Sequence, residues 1–136
     1  MLRASLLTAL LAITGWQADA QTRMAPDDFL DIAVGHTLTF QHIASGKIVG
    51  TEQFINRTLT VWKQSGRTCI YGKITIDDGK ICFDYESLDH PPPNCWWVFQ
   101  DNDKFYVRKA EGMGGEIQEI IKMSTARVDC PQAPIS

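Results

Sequence analysis

The sequence predicts an all-β fold, a single antiparallel barrel or sandwich of about seven to eight strands with a short N-terminal helix. Two observations carry that expectation. Beyond His36 the apolar residues take period two, with Leu38 and Phe40 set between Thr37, Thr39 and Gln41, which is the pattern of a half-buried strand. Further β-rich runs are punctuated by Ser45-Gly46, Ser65-Gly66, Asp78-Gly79 and Asp101-Asn102-Asp103. Short strands separated by regular turn signals read as a sandwich or barrel.

The elements follow in order. Residues 1–20 carry Arg3, then the apolar run from Leu6 to Ile13, then Ala18-Asp19-Ala20. That order is expected of a cleavable signal peptide, and the apolar run is shorter than the roughly 20 residues that span a bilayer. Residues 21–136 would then form one small disulfide-bearing β domain, with no transmembrane segment after cleavage. Gln21 to Ala25 is expected to be mobile. Pro26-Asp27-Asp28 opens a helical turn, because proline and acidic residues suit a helix N-terminus. Phe29, Ile32 and Ala33 give it one apolar face, and Gly35 ends it. The β-rich runs are Ile48 to Asn56, Thr58 to Gln64, Cys69 to Ile76, Lys80 to Glu86, Cys95 to Gln100, Lys104 to Ala110 and Glu116 to Met123.

Two hairpins can be registered. Asp78-Gly79 suits a two-residue type I′ turn. It pairs Ile76 with Ile81, Ile74 with Phe83 and Gly72 with Tyr85 on one apolar face. Thr75 with Cys82 and Lys73 with Asp84 fall on the other. The second hairpin, centred on Asn102 in a three-residue loop, pairs Phe99 with Phe105 and Trp97 with Val107. Its other face pairs Val98 with Tyr106 and Trp96 with Arg108. This register puts Trp97 in the core and Trp96 outside, since successive strand residues point oppositely.

Four cysteines, Cys69, Cys82, Cys95 and Cys130, are spaced too widely for paired zinc ligands. An even set in a small exported domain reads as two disulfides. The hairpin register sets Cys82 opposite residue 75, about 20 Å along the strand from Cys69, which excludes a Cys69–Cys82 bond. Two connectivities remain: Cys82–Cys95 with Cys69–Cys130, which is preferred because it closes the Pro91-Pro92-Pro93 loop and ties down the tail, and Cys69–Cys95 with Cys82–Cys130.

The formal charge is −3 and no basic stripe is present. Nucleic acid and anionic membrane surfaces are therefore poor partners. The segments Gly50-Thr51-Glu52-Gln53-Phe54, Cys69-Ile70-Tyr71-Gly72, Lys80 to Glu86 and Cys95-Trp96 resemble small exported bacterial β domains of unknown function. The shared feature is a glycine in one strand, a Cys-Phe-x-Tyr strand and a Cys-aromatic strand. The resemblance implies a secreted or periplasmic location and favours the Cys82–Cys95 bond; it brings no catalytic residues.

Catalytic signatures are weak. His36 and His42 stand about 20 Å apart on an extended strand, too far to share a metal, and His90 lies in a loop. Glu52, Asp84 and Glu86 read as a solvated strand face rather than as acid–base groups. The Gly112-Met113-Gly114-Gly115 run lacks the lysine and helix of a phosphate loop and reads as a turn. No catalytic residue, cofactor or metal is assigned. Trp62, Trp96, Tyr71 and Tyr106 fall away from the expected core set and are candidate binding aromatics. The expected contact surface is Trp96, Tyr106, Arg108 and His90, with the loop from Leu88 to Asn94. The function expected first is an exported, non-catalytic binding or structural module for an unknown protein or envelope partner. A lipocalin-like carrier of a small apolar ligand and an inhibitor of an extracellular hydrolase are the alternatives. A central cavity would mark the carrier and a protruding proline loop the inhibitor.

Overall fold

The structure is a computed structural model that describes residues 21–87, 90–111 and 115–131. The expected signal peptide, Leu88 in the proline loop, and Gly112 to Gly114 of the glycine-rich turn lie outside the described residues.

Strand β1 (Thr22–Met24) and helix α1 (Pro26–Ala33) precede eight longer strands. These are β2 (Thr37–His42), β3 (Ile48–Phe54), β4 (Leu59–Lys63), β5 (Ile70–Asp77), β6 (Lys80–Tyr85), β7 (Cys95–Asp101), β8 (Lys104–Lys109) and β9 (Ile117–Ser124). Each of β2 to β9 pairs antiparallel with the next, and β9 returns to pair with β2. The sheet therefore closes into an eight-stranded barrel in which every one of those strands has a partner on both sides. Shifts of register in β2 around Thr39, Phe40 and Gln41 interrupt its ladders with both neighbours. Such bulges bend a strand and raise its twist, which closure of a small barrel requires.

Helix α1 buries Pro26, Phe29, Leu30 and Ala33. These positions share one face of a helix at i, i+3, i+4 and i+7. Leu30, not Ile32, completes the apolar stripe with Phe29. The Phe29 ring meets Phe54 edge-on at 5.8 Å, so the helix caps the barrel end at which β3 finishes. Gly35 then takes φ +83°, a left-handed turn that glycine enters without steric cost. Arg57, in the β3–β4 turn, holds the helix by pairing with Asp27 and Asp31.

The β5–β6 hairpin has the expected register throughout, from Gly72↔Tyr85 to Ile76↔Ile81, with Asp78 and Gly79 both at positive φ. The second hairpin differs by one residue. Its turn holds only Asn102-Asp103, with Asn102 at φ +54°, and its pairs are Asp101↔Lys104, Phe99↔Tyr106, Val98↔Val107, Trp97↔Arg108 and Trp96↔Lys109. A one-residue slip exchanges the two faces of a strand. Val98 is therefore buried inside, opposite Val107, which keeps its expected inward face, and Trp97 and Phe99 lie on the exterior. The barrel interior here already holds Phe29, Phe54 and Phe83, and Val98 fills the remaining space with less volume than Trp97 or Phe99 would. Outside, the Arg23 guanidinium lies 3.2 Å from the centre of the Trp97 ring, and Arg108 lies 5.2 Å from that of Phe99.

The N-terminal segment also departs from expectation. Residues 22–24 are ordered against β7, with Thr22↔Gln100 and Met24↔Val98. They occupy an edge that β6 leaves vacant, because β6 and β7 pair only at Ile81↔Trp96 and Cys82↔Cys95. A disulfide joins the second of these pairs, Cys82–Cys95, and another joins Cys69 to Cys130. Two disulfides favour an oxidising, extracellular-type environment.

The Cys82–Cys95 bond crosses the shortest ladder in the barrel wall. Replacing both residues with alanine should lower the unfolding free energy by about 3 kcal/mol, the cost of reopening a loop of this length in the unfolded chain. Denaturant titration of the oxidised parent and the double variant measures the difference; equal midpoints would show that the seam holds without the bond.

Candidate functional site

The antiparallel topology places the β2–β3, β4–β5, β6–β7 and β8–β9 connections together at the end opposite α1. A cavity of ≈ 700 Å³ opens there. Its rim carries His42, Gln64, Lys109, Glu111 and Glu116, with Pro91, Pro92 and Pro93 alongside. Its walls are aromatic: Phe40, Trp62, Tyr85 and Trp96 surround the middle, with Phe54 and Phe83 deeper.

Two glycines shape these walls. A Cβ on Gly50 would stand 2.6 Å from Cζ2 of Trp62, and one on Gly72 would stand 2.6 Å from Cδ1 of Tyr85. Each ring lies across a strand that presents no side chain beneath it. Trp62 is thereby held in the wall, 6.0 Å from the Phe40 ring. Tyr85 passes over β5, stacks on Phe83 at 5.7 Å and reaches β3.

At the end of that reach stands Glu52. Its carboxyl is buried, yet it lines the cavity. The Tyr85 hydroxyl lies 2.6 Å from Oε1, and the Thr60 hydroxyl lies 2.9 Å from the same oxygen. Thr60 is also 2.9 Å from the Gln53 carbonyl. A hydroxyl has one proton and two lone pairs. Thr60 can thus donate to Gln53 while accepting from a protonated Glu52, or donate to an ionised one. No cation neutralises the carboxyl from within the cluster. Burial raises its pKa from 4.5 to about 7, against the opposing pull of the Tyr85 and Thr60 hydrogen bonds. Tyr85 is pushed well above its usual range by burial and then by the Glu52 charge.

The charged groups at the rim are engaged. His42 Nδ1 lies 3.3 Å from Oε1 of Glu116, which also accepts from the Gln118 amide at 2.6 Å. Glu111 faces the Cys95 amide at 3.4 Å. The Lys109 ammonium lies 5.8 Å from the centre of the Trp96 ring. Trp96 donates its indole N–H to Asn94 at 2.8 Å. The buried indole N–H of Trp62 and Nδ1 of His90 have no hydrogen-bond partner among the described residues.

The four residues expected to form one contact surface are divided between two faces. Trp96 and His90 line the cavity. Tyr106 and Arg108 are on the exterior, paired with Phe99 and Trp97. The expected pairing of Trp96 with Arg108 is replaced by Trp96 with Lys109, because the turn is one residue shorter. Trp62 is in the wall and buried, not outward. Asp84 and Glu86 are exposed, as a solvated face requires. Glu52, expected beside them, is inside. The signal for this was in the strand itself: Phe54 on the same face is a core residue, so period two carries Glu52 inward with it.

The Glu52 carboxyl binds its proton more tightly in the folded state than in the unfolded one. Its contribution to stability is therefore fullest below about pH 4.5 and falls as pH rises through about 7. The total change is about 3 kcal/mol, at roughly 1.4 kcal/mol per pKa unit. Unfolding free energies measured from pH 4 to pH 8.5 should decline across this window in the parent and much less in Glu52→Gln. Parallel profiles for the two proteins would place the carboxyl in water.

Comparison with protein-family models, with curated proteins and with solved structures found no match.

Proposed function

We propose that this chain is a secreted or periplasmic, non-catalytic carrier that holds a small, largely apolar molecule in the mouth of its barrel. The observation that carries the reading is the aromatic-walled cavity. Sites for small molecules are concave, mostly apolar, about 300–1,000 Å³ in volume and furnished with a few placed polar groups. The ≈ 700 Å³ space, with Trp62, Trp96 and Phe40 around Glu52, has that character. An eight-stranded barrel is also the size that can enclose one small ligand.

The other two expectations draw less support. An inhibitor would present its proline loop to a protease, whereas Pro91, Pro92 and Pro93 line the cavity. An envelope-binding surface made of Trp96, Tyr106, Arg108 and His90 would have to draw on both faces of the wall. Catalysis would require a nucleophile or base with an orienting partner and a group aimed at developing charge. The Glu52 cluster supplies a carboxyl between two hydroxyls and no such arrangement.

Titration with the neutral dye N-phenyl-1-naphthylamine tests the reading. Saturable enhancement of dye emission at one site per chain is expected, with energy transfer from tryptophan, since Trp62 and Trp96 line the cavity. Val49, half-buried at the same cavity, provides the control. Val49→Trp should weaken the dye by about tenfold or more by filling the space, with the far-ultraviolet circular dichroism of the barrel retained. Non-saturable uptake, or equal affinity in Val49→Trp, would contradict a cavity site.

A further inference from the structure

We propose that the molecule held in the cavity is an amine, an apolar body ending in a protonated nitrogen that docks on Oε2 of Glu52. The inference rests on the carrier reading and names the ligand class for that site.

Four observations converge on it. First, both hydrogen bonds to Glu52 fall on Oε1, leaving Oε2 with no donor among the described residues. Glu52 lines the cavity, so this oxygen is open to it and a ligand N–H can reach it. Second, the partners of Glu52 are neutral hydroxyls, so burial acts on the carboxylate with no compensating cation, and the pKa rises to about 7. An ammonium group beside it supplies that cation, and charge-assisted hydrogen bonds are the stronger kind. Third, among the described residues lining the cavity, the acids are Glu52, Glu111 and Glu116 and the one lysine is Lys109, with His42 and His90 beside them. Glu116 is engaged by His42 and Gln118. Glu52, a buried acid without a counter-charge among the described residues, disfavours an anionic head group. Fourth, Trp62 lies beside Glu52 across the β3–β4 ladder, and Phe40, Tyr85 and Trp96 complete the wall. Aromatic faces attract organic cations, most strongly where water is excluded.

Calorimetric titration at pH 8 with 4-phenylbutylamine, 4-phenylbutanol and 4-phenylbutyrate distinguishes the head groups on one apolar body. The amine is protonated at this pH. It should bind the parent about tenfold or more tightly than the alcohol, and the carboxylate should bind weakest. In Glu52→Gln the amine-to-alcohol ratio should fall close to one. Binding of N-phenyl-1-naphthylamine with no advantage for the amine, or an amine advantage that survives Glu52→Gln, would overturn the ligand class and leave the carrier reading standing. Failure of the dye and of all three ligands to bind would overturn both. Should Glu52→Gln not fold, the order of the three ligands on the parent still decides.

Discussion

The short seam between β6 and β7 is the constraint on which the rest of the structure depends. Every other junction in the wall carries at least four ladder pairs, while this one carries two. The Cys82–Cys95 bond joins the strands at one of them, and the Phe83 amide extends the contact to the Asn94 carbonyl at 2.9 Å. Below the seam β6 and β7 part, and β1 fills the freed edge of β7. Were the seam to open, the eight strands would form a curved sheet with two exposed edges and no enclosed space. Closure is what makes Glu52 a buried carboxyl and the aromatic side chains walls of a cavity.

Within the closed barrel, two absent side chains set the chemistry. Gly72 lets Tyr85 cross β5 and reach Glu52, and Gly50 lets Trp62 lie flat in the wall beside it. The same contacts that fill the lower barrel with Phe29, Phe54 and Phe83 stop short of the mouth, where the lining becomes mixed. The core and the cavity are thus successive layers of one interior. Helix α1 packs Phe29 and Leu30 into one end, and Glu52 lines the cavity toward the other.

Much of this was legible in the sequence, for identifiable reasons. Asp78-Gly79 accepts positive φ at both positions, so the β5–β6 register had one solution, and that register in turn excluded one disulfide pairing. The second hairpin lacked such a signal. Asp101-Asn102-Asp103 can form a two- or three-residue turn, and both faces of β7 and β8 carry aromatics, so hydrophobic pattern could not choose between registers. The consequence was an exchange of Trp96 with Trp97. Barrel and sandwich share the same alternation; the distinction lies in the β9–β2 pairing between residues some eighty positions apart, which local pattern does not report. Glu52 was misplaced for a different reason, although the alternation with Phe54 pointed it inward. A carboxylate in a strand is ordinarily solvated, and only the crossing of Tyr85 over Gly72, a contact among three strands, provides the partners that make its burial tolerable.

The barrel encloses a buried carboxyl with no cation beside it among the described residues. The most direct measurement is the pH titration of the Glu52 side-chain carboxyl carbon by NMR in the ligand-free protein. The structure predicts a midpoint near 7, with the resonance shifting over a range in which exposed glutamates are already fully ionised. A midpoint near 4.5, the value of an unperturbed glutamate, would contradict the account.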